Sequence, residues 1–325
     1  MKKKHTPRKS GKRDEIGGLP ADFVERLRIQ FPEQSEHILT SFHQRPPVVR
    51  INTLLVSVKK FQQRLKQLKI ESQPILLLPE ALLVTNTDRK LLTDLEEYRN
   101  GWFYIQSIAS QLAVKALDPQ PGEKILDLCA APGSKTTQIA IAMKRQGELM
   151  ANDNNRTRLF RLISNLKHQK VDDFVEVKNY PGQNYPKFYP STFDRILLDA
   201  PCSSESRFDP RYPKSIHFWS RHKVKGMAKT QKRLLAAAIQ CLKQGGILVY
   251  STCTFSPEEN EMVIDSVLKK HQEMEIETMT WSPNTLPILQ EWQGKRLHSG
   301  LKKAIRVFPD DQVEGFFICR LKRVY

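Results

Sequence analysis

The sequence predicts an α/β fold in which a mostly parallel sheet follows a small α+β domain. From about residue 103, short apolar runs alternate with amphipathic segments, which is typical of parallel strands joined by helices. Before that point, helical periodicity is mixed with short apolar runs such as Val48–Ile51. We therefore expect a disordered basic tail at residues 1–18, an α+β subdomain at residues 19–98 and the α/β domain at residues 99–325.

The elements follow from the apolar runs and the residues that bound them. A run of four to eight residues between turn residues predicts a strand, and a period near 3.6 predicts a helix. The runs Met274–Thr278 and Phe316–Leu321 are predicted to pair as an antiparallel hairpin. In the large domain we predict strands at Lys124–Leu128, Glu148–Asn152, Phe174–Val177, Arg195–Leu198 and Gly246–Tyr250, with helices at about 135–145, Arg156–His168 and about 226–242. In the subdomain, helical spacing joins Phe23, Leu27 and Ile29, and also Phe61, Leu65 and Leu68.

The charge balance predicts a polyanionic partner. Among 325 residues, 52 Lys and Arg against 35 Asp and Glu leave a net charge of +17, which favours nucleic-acid binding. A basic protein without such a ligand is the alternative. Arg50 and Asn52 are candidate RNA contacts or, equally, ordinary strand and turn residues. Basic residues with interleaved aromatic ones predict an RNA surface or, alternatively, a solvated helix face with core aromatics: Arg207, Phe208, Arg211, Tyr212, Lys214, Phe218, Trp219, Arg221, Lys223, Lys225, Lys229 and Lys232.

Several classes of protein are disfavoured. No apolar stretch approaches the roughly 20 residues of a membrane span, and the basic N-terminus lacks the apolar segment of a secretory signal. The five cysteines are odd in number and form no Cys-x-x-Cys pair, which argues against a disulfide framework and a zinc site. We expect a monomer in the reducing cytoplasm, with no membrane partner and no metal.

A glycine turn directly after the first strand of the large domain predicts a cofactor site. Gly133 permits an unusual backbone conformation and close approach of a ligand, and Ser134 occupies the expected helix N-cap. Neither the dinucleotide fingerprint nor the phosphate-loop spacing is present. Asp153 ends the next strand, where a carboxylate binds ribose hydroxyls in such sheets. The pattern favours S-adenosylmethionine over NAD; an exposed strand-end carboxylate is the alternative for Asp153.

Two cysteines follow neighbouring predicted strands, in Asp199-Ala200-Pro201-Cys202 and Ser251-Thr252-Cys253. Ligands bind at the carboxyl ends of parallel strands, so two thiols beside a cofactor turn favour covalent group transfer. A thiolate at Cys253 requires a positive neighbour, either the cofactor or a Lys or Arg side chain. Cys241 and Cys319 are expected to be inert core thiols, and Cys129 to pack or to offer its backbone to the cofactor.

Together these motifs resemble the Sun-type family of RNA cytosine-5 methyltransferases through most of residues 45–321. The matching segments are Tyr104-Ile105-Gln106 with Ser110-Gln111, Leu126-Asp127-Leu128-Cys129-Ala130-Ala131-Pro132-Gly133-Ser134-Lys135-Thr136, Asp153 with Arg158, Asp199-Ala200-Pro201-Cys202, Tyr250-Ser251-Thr252-Cys253, Pro257-Glu258-Glu259-Asn260-Glu261 and Gly315-Phe316-Phe317. Each segment alone is a weak signal, but their order and spacing are specific.

The resemblance implies a class I methyltransferase fold, Rossmann-like with an antiparallel C-terminal strand, and an N-terminal RNA-binding subdomain. It implies methyl transfer from S-adenosylmethionine to carbon 5 of a single-stranded or flipped cytosine in ribosomal or transfer RNA. Cys253 would be the nucleophile that adds to carbon 6, and Cys202 would assist product release. Cofactor contacts would come from Cys129, Ala130, Ala131, Pro132, Gly133, Ser134, Lys135, Asp153, Arg158 and Asp199.

Asp199 also has a chemical role available, since sulfur adds more easily to a cytosine whose ring nitrogen 3 is protonated or hydrogen-bonded. Lys135 would orient Asp199 or the cofactor carboxylate, or else face solvent.

Two segments depart from the family pattern. The acid expected near the adenine is missing, with Asn179 as a candidate substitute. Ser203-Ser204-Glu205-Ser206 replaces Ser-Gly-Thr-Gly in a loop that we expect to line the RNA site. Two alternative functions remain open: a catalytically silent RNA-binding scaffold, or a methyltransferase that acts on a different substrate.

Overall fold

A computed structural model describes residues 15–325 of the chain. The N-terminal part is a four-stranded antiparallel sheet with strand order β4-β5-β3-β6, flanked by helices and preceded by a short ladder of β1 and β2. Its elements are β1 (Glu15–Ile16), β2 (Leu19–Pro20), α1 (Ala21–Gln30), α2 (Ser35–Thr40), β3 (Val48–Ile51), α3 (Val58–Gln67), β4 (Ser72–Ile75), β5 (Leu78–Val84), α4 (Arg89–Asp94), α5 (Glu96–Arg99) and β6 (Phe103–Ile105).

The larger part is built on a second sheet with the order β13-β16-β17-β11-β10-β7-β8-β9, and β12 also pairs with β17. Strands β7 to β11 are parallel, whereas β17 lies antiparallel to β11. The elements are α6 (Ile108–Leu117), β7 (Lys124–Asp127), α7 (Ser134–Ala142), β8 (Glu148–Asn152), α8 (Arg156–His168), β9 (Val175–Lys178), β10 (Phe193–Asp199), α9 (Arg221–Cys241), β11 (Leu242–Thr252), α10 (Glu261–Leu268), β12 (Met274–Ile276), β13 (Thr285–Leu286), β14 (Glu291–Trp292), β15 (Lys295–Arg296), β16 (Ile305–Val307) and β17 (Phe316–Arg323). Short 3₁₀ helices lie at Gly182–Lys187, Glu205–Arg207, Pro213–Ser215 and Ser299–Lys303.

The predicted α/β class and the mostly parallel sheet are confirmed. The predicted hairpin is wrong in its connection, because β12 pairs antiparallel with β17 but β13 to β16 lie between them along the chain. Helix α9 begins five residues earlier than predicted, at Arg221, where the Ser220 hydroxyl accepts a hydrogen bond from the Lys223 N–H and caps the helix. None of the helices among the described residues combines the length and apolar character needed to cross a membrane.

Three predictions for the N-terminal part change. Ile29, expected on the apolar face of α1, is exposed, because Phe23, Val24 and Leu27 already fill the contact of that helix with its core. Residues 15–18, expected in the disordered tail, form β1 and the turn to β2, while the rest of the predicted tail lies outside the described residues.

Strand β6 belongs to the N-terminal sheet through its pairing with β3. The sheet therefore extends past the expected boundary at residue 98, and we propose that the boundary lies between β6 and α6.

A buried arginine joins the two parts. Arg50 of β3 is 1% exposed, and its guanidinium donates to Gln106 Oε1 at 2.5 Å, to the Ser134 carbonyl at 2.7 Å and to Thr137 Oγ1 at 2.9 Å. Asn52, also buried, donates to the carbonyl of Gln169. Of the two interpretations offered for these residues, the structure supports the structural one, and Arg50 anchors the N-terminal sheet to the start of α7.

Candidate active site

A cavity of about 480 Å³ opens at the carboxyl ends of the parallel strands β7, β8, β10 and β11. This is the edge at which open α/β sheets bind ligands. All but one of the predicted catalytic and cofactor-binding residues line it. These residues are Cys129, Ala130, Ala131, Pro132, Ser134, Lys135, Asp153, Arg158, Asp199, Cys202 and Cys253.

The exception is Gly133, whose role is to shape the turn. Its φ of +106° lies in the left-handed region that favours glycine, and an added Cβ would meet Leu162 Cδ1 of α8 at 2.8 Å. The glycine therefore permits helix packing rather than ligand approach. It also occupies the N-cap of α7, so that Ser134 is the first helical residue and not the cap.

Asp153 is held in the cavity wall by the turn opposite it. The carboxylate accepts hydrogen bonds from the Asn155 N–H at 2.9 Å and the Ala131 N–H at 3.2 Å. Arg158 lies 3.2 Å from the same carboxylate and also donates to the Ala131 carbonyl. Since a carboxylate accepts about four hydrogen bonds, Asp153 retains capacity for a ligand hydroxyl.

Asp127, at the end of β7, is a site residue that the sequence analysis did not single out. It is buried, and Oδ2 accepts a hydrogen bond from Thr136 Oγ1 at 2.7 Å, whereas Oδ1 lacks a partner among residues 15–325. Burial raises the pKa of Asp127 to about 7, although the Thr136 hydrogen bond opposes this shift. An unpaired buried oxygen in a cavity wall calls for a donor on the ligand. The available signal was its position in the predicted strand Lys124–Leu128, one residue before the end of that strand.

Asp199 lines the cavity with both of its carboxylate oxygens engaged. Lys135 Nζ lies 2.7 Å from Oδ2, and Ser251 Oγ donates to Oδ1 at 2.9 Å. Lys135 is itself buried, with its ammonium 5.7 Å from the centre of the Phe316 ring. Of the roles considered for Lys135, the structure shows the pairing with Asp199.

The two thiols meet in the same cavity. Cys202 Sγ and Cys253 Sγ are 3.4 Å apart, within hydrogen-bonding distance for sulfur. The pKa of Cys253 is lowered, mainly because Cys202 donates a hydrogen bond to its thiolate and because Arg207 adds positive charge. The pKa of Cys202 is raised by the same hydrogen bond and by burial. The opposite directions of the two pKa shifts assign the negative charge of the pair to Cys253.

Arg207 is the positive neighbour that the thiolate requires. It lines the cavity, and its pKa is raised chiefly by the negative charge of Cys253, with smaller effects from Glu314 and Asp199. The sequence predicts Arg207 on the RNA surface and does not identify the positive group at Cys253. The only sequence signal was the position of Arg207, five residues after Cys202.

The loop that follows Cys202 is mostly interior, in contrast to the expectation that it lines the RNA site. Ser203, Glu205 and Ser206 are buried, and Ser204 alone of the four lines the cavity. Ser204 adopts φ +60°, a left-handed conformation, at the position where the family commonly has glycine. Its hydroxyl lies 3.8 Å from Cys202 Sγ.

Glu205 ties this loop to the one that carries Cys253. Oε1 accepts hydrogen bonds from Trp219 Nε1 at 2.8 Å and Ser256 Oγ at 2.6 Å. Oε2 accepts from Thr254 Oγ1 at 2.6 Å and from the N–H groups of Phe255 and Ser256, each at 2.9 Å. Four of these five donors belong to the residues directly after Cys253, so Glu205 holds the nucleophile's loop against the Cys202 loop.

Asn179 does not take the place of the missing acid in the cavity wall. The side-chain amide of Asn179 donates to the backbone carbonyl of Asp153 at 2.7 Å, and Asn179 does not line the cavity. Gln183 lines the cavity nearby instead, on the 3₁₀ helix Gly182–Lys187.

The basic and aromatic segment divides between core and surface. Phe208 and Trp219 are buried in the core that packs against α1, while Tyr212 and Phe218 are exposed. The alternative of core aromatics is therefore correct for two of the four aromatic residues.

Comparison with known proteins agrees with this geometry. Residues 114–322 match the family model of the 16S rRNA methyltransferase RsmB/F, and residues 19–88 match the ferredoxin-like domain of RsmF/B-like methyltransferases. The chain is 39% identical over 279 residues to a tRNA (cytosine(49)-C(5))-methyltransferase of Pyrococcus abyssi, covering 85% of this chain and 88% of that protein.

Two further relatives are similar. A ribosomal RNA small subunit methyltransferase F of Aliivibrio fischeri is 35% identical over 85% of this chain, which spans only 57% of that longer protein. The crystal structure of a methyltransferase homolog protein from Pyrococcus horikoshii superposes with a TM-score of 0.80 at 30% identity, over 95% of this chain and 100% of that one. The chain therefore belongs to the 16S rRNA methyltransferase RsmB/F family, which confirms the predicted resemblance and identifies it as an S-adenosylmethionine-dependent methyltransferase.

Proposed function

We propose that this protein methylates carbon 5 of a cytosine in ribosomal or transfer RNA through a covalent adduct between Cys253 and carbon 6 of the base. The names of its relatives support the substrate class. The observation that carries the mechanism is the pair of thiols 3.4 Å apart with opposite pKa shifts. One thiol is prepared as a nucleophile and the other holds a proton beside it.

The cavity wall fits S-adenosylmethionine. Asp153 has an acceptor free for ribose hydroxyls, and the unpaired Oδ1 of Asp127 suits the ammonium group of the methionine moiety. The turn Cys129–Lys135 lies between these two carboxylates. When bound, the cofactor supplies the methyl group that the activated base receives.

The protein's own residues account for activation of the base. Cys253 thiolate forms a bond to carbon 6, and the displaced electron pair makes carbon 5 nucleophilic. Ring nitrogen 3 takes up a proton from solvent and returns it when the adduct breaks down. Asp199, paired with Lys135, accepts a hydrogen bond from that N–H. Without protonation of nitrogen 3, addition of the thiolate would leave a negative charge on the ring with no group to stabilise it.

Release follows from the loss of charge on Cys253. Once Cys253 is bound to carbon 6, the charge that raised the pKa of Cys202 is gone, while Arg207 remains in the cavity. Cys202 gives up its proton to solvent and then removes the proton from carbon 5. The electron pair of that C–H bond restores the ring double bond, and the bond between Cys253 and carbon 6 breaks.

Substitution of each thiol tests the roles separately. Cys253→Ala should abolish both methylation and covalent RNA–protein species. Cys202→Ala should form the adduct more slowly, because the Cys253 thiolate loses its hydrogen bond. It should still accumulate a crosslinked species that survives denaturing electrophoresis and already carries the methyl group, because elimination is blocked. The double variant should behave like Cys253→Ala. A crosslink in Cys253→Ala but not in Cys202→Ala would reverse the roles.

The two alternative functions predict different results. A silent scaffold would bind RNA without methylating it in any variant, and the intact constellation of Asp199, Cys202 and Cys253 argues against it. An enzyme for a different substrate would transfer the methyl group but leave cytosines unmodified. Bisulfite sequencing of total RNA from a deletion strain, compared with wild type, separates the proposed function from both alternatives, and transfer of a labelled methyl group from S-adenosylmethionine separates the two alternatives from each other.

A further inference from the structure

We propose that the exposed face of α9 binds the sugar-phosphate backbone of the RNA strand that presents the target base. The inference rests on the proposed function, since it takes RNA as the substrate. The contact consists of four cations, which we call the α9 cation row: Arg221, Lys225, Lys229 and Arg233.

The spacing of the row suits a polyanionic strand. Residues four apart lie on one face of a helix, and the rise of about 1.5 Å per residue separates successive cations by about 6 Å along the axis. This step is comparable to that between neighbouring phosphates of an extended single strand. All four residues are exposed, so the row is accessible along its whole length.

The charge of the row is uncompensated along most of its length. Helix α9 contains no Asp or Glu in its 21 residues. Arg221 pairs with Asp22 at 2.9 Å and Glu25 at 3.8 Å, but none of the other three has an acidic partner within ion-pair distance in the part of the chain that the structure describes. Like charges at this spacing weaken a helix, and an external anion beside the row would relieve their repulsion.

The row runs past the thiol end of the cavity. Thr230 and Leu234 of α9 line the cavity together with Cys202 and Cys253. Gln231, between them, donates to the Pro201 carbonyl and to Glu259 Oε2, both at 2.8 Å. These bonds fix the helix to both cysteine loops, so a strand held by the row is held at a set distance from the thiols.

Helix α8 is the competing basic element and fits the base less well. It also lacks acidic residues, but it borders the cavity through Asn155 and Arg158, at the end where Asp153 lies. Its exposed cations Arg156, Arg158, Arg161 and Lys167 do not repeat at four-residue spacing. A target base must reach Cys253, which favours α9.

The test is the salt dependence of RNA binding. For a single strand, the logarithm of the association constant falls with the logarithm of salt concentration by about 0.7 per phosphate contact. The double variant Lys225→Gln/Lys229→Gln should therefore reduce this slope by about 1.4 and weaken binding at every salt concentration. The measurement is fluorescence anisotropy of a fluorescein-labelled single-stranded RNA of mixed sequence over a series of KCl concentrations.

The matched control removes the same charge from the opposite edge of the sheet. Lys144 and Lys170 are exposed and lie just before β8 and β9, at the amino ends of the strands. Lys144→Gln/Lys170→Gln should leave the slope unchanged. Equal effects of the two pairs, or a reduced slope only in Arg156→Gln/Arg161→Gln of α8, would overturn the assignment.

Failure of this inference is distinguishable from failure of the proposed function. If wild-type protein methylates RNA cytosine but the α9 variant keeps the wild-type slope, only the α9 assignment is wrong. If wild-type protein binds RNA with the expected slopes but methylates no cytosine, the proposed function fails and the binding surface stands. Circular dichroism of each variant measures its helix content, which should match that of the wild-type protein.

Discussion

The loops that follow β10 and β11 each present a cysteine to the same cavity, but they contribute in different ways. The β11 loop is buried from Cys253 to Pro257 and carries no charged residue within that stretch. The β10 loop contains Glu205, Arg207 and a strained Ser204 beside Cys202. The nucleophile thus lies on the loop without charged residues, and the groups that change its pKa and hold its loop in place lie on the neighbouring β10 loop.

The difference shows that activation of Cys253 comes from across the sheet edge. Cys202 donates the hydrogen bond that lowers the pKa of Cys253, Arg207 adds positive charge, and Glu205 holds the backbone after Cys253 in place. Parallel pairing of β10 with β11, in register at Asp199 and Ser251, brings the two loops together. Substitution of residues in either loop should therefore change the stability of the protein or the pKa of Cys253.

The largest effect on stability is expected from Glu205, one of two buried glutamates in these loops. Glu205 accepts five hydrogen bonds, whereas burial and the charge of Glu205 raise the pKa of Glu259 to about 8. In Glu205→Gln the amide NH₂ must face at least the Trp219 N–H, because the Ser256 hydroxyl can turn to accept but the indole cannot. We expect a loss of about 1–3 kcal/mol in the free energy of unfolding, measured by urea denaturation.

Glu259→Gln is the matched control. The carbonyl oxygen of the new glutamine can keep the hydrogen bonds from Ser203 and Gln231, and its NH₂ group meets no donor, so the cost should stay below about 1 kcal/mol. Equal destabilisation by both variants would remove the distinction between them.

The raised pKa of Glu259 means that the folded state binds the proton on this carboxyl group more tightly than the unfolded state does. The free energy of unfolding of the wild-type protein should therefore fall as the pH rises from 4.5, the ordinary pKa of a glutamate, towards about 8. This fall should be smaller in Glu259→Gln.

An intermediate effect is expected from loss of the positive charge across the loops. Arg207 lowers the pKa of Cys253, so Arg207→Gln should raise it and shift the pH profile of Cys253 alkylation to higher pH. The measurement is the rate of iodoacetamide labelling of the Cys253 peptide, followed by mass spectrometry across a pH series. Arg211→Gln is the control, since Arg211 pairs with Asp209 and does not line the cavity. An unchanged profile in Arg207→Gln would show that Cys202 alone activates the nucleophile.

The smallest effect is expected at Ser204. A non-glycine residue at φ +60° is strained, so Ser204→Gly should change the free energy of unfolding by no more than about 1 kcal/mol, towards greater stability. The hydroxyl beside Cys202 would be lost, which should slow release of the product without preventing formation of the adduct. Thermal unfolding measures the first effect, and the multiple-turnover rate of methylation compared with the single-turnover rate measures the second. Clear destabilisation would contradict the assignment of strain.

The periodicity of the sequence determined most of the fold. Glu148–Asn152 and Arg156–His168 coincide with β8 and α8, because a buried strand and an amphipathic helix each carry their pattern locally. The order of β7, β8, β10 and β11 then places Asp153, Asp199 and the two cysteines at one edge. The motifs around them were sufficient to predict the family and its cofactor.

Only the tertiary structure decided what each charged residue does. Arg50, a candidate RNA contact, is buried against α7. Arg207, predicted on an RNA surface, is exposed but also lines the cavity and interacts electrostatically with Cys253. Glu205 reads as a loop residue in the sequence but accepts hydrogen bonds from residues about 50 positions away. Charge and polarity are local properties of a residue, whereas burial and partners depend on segments that are distant in sequence, so the pattern that predicts an element does not predict its contacts.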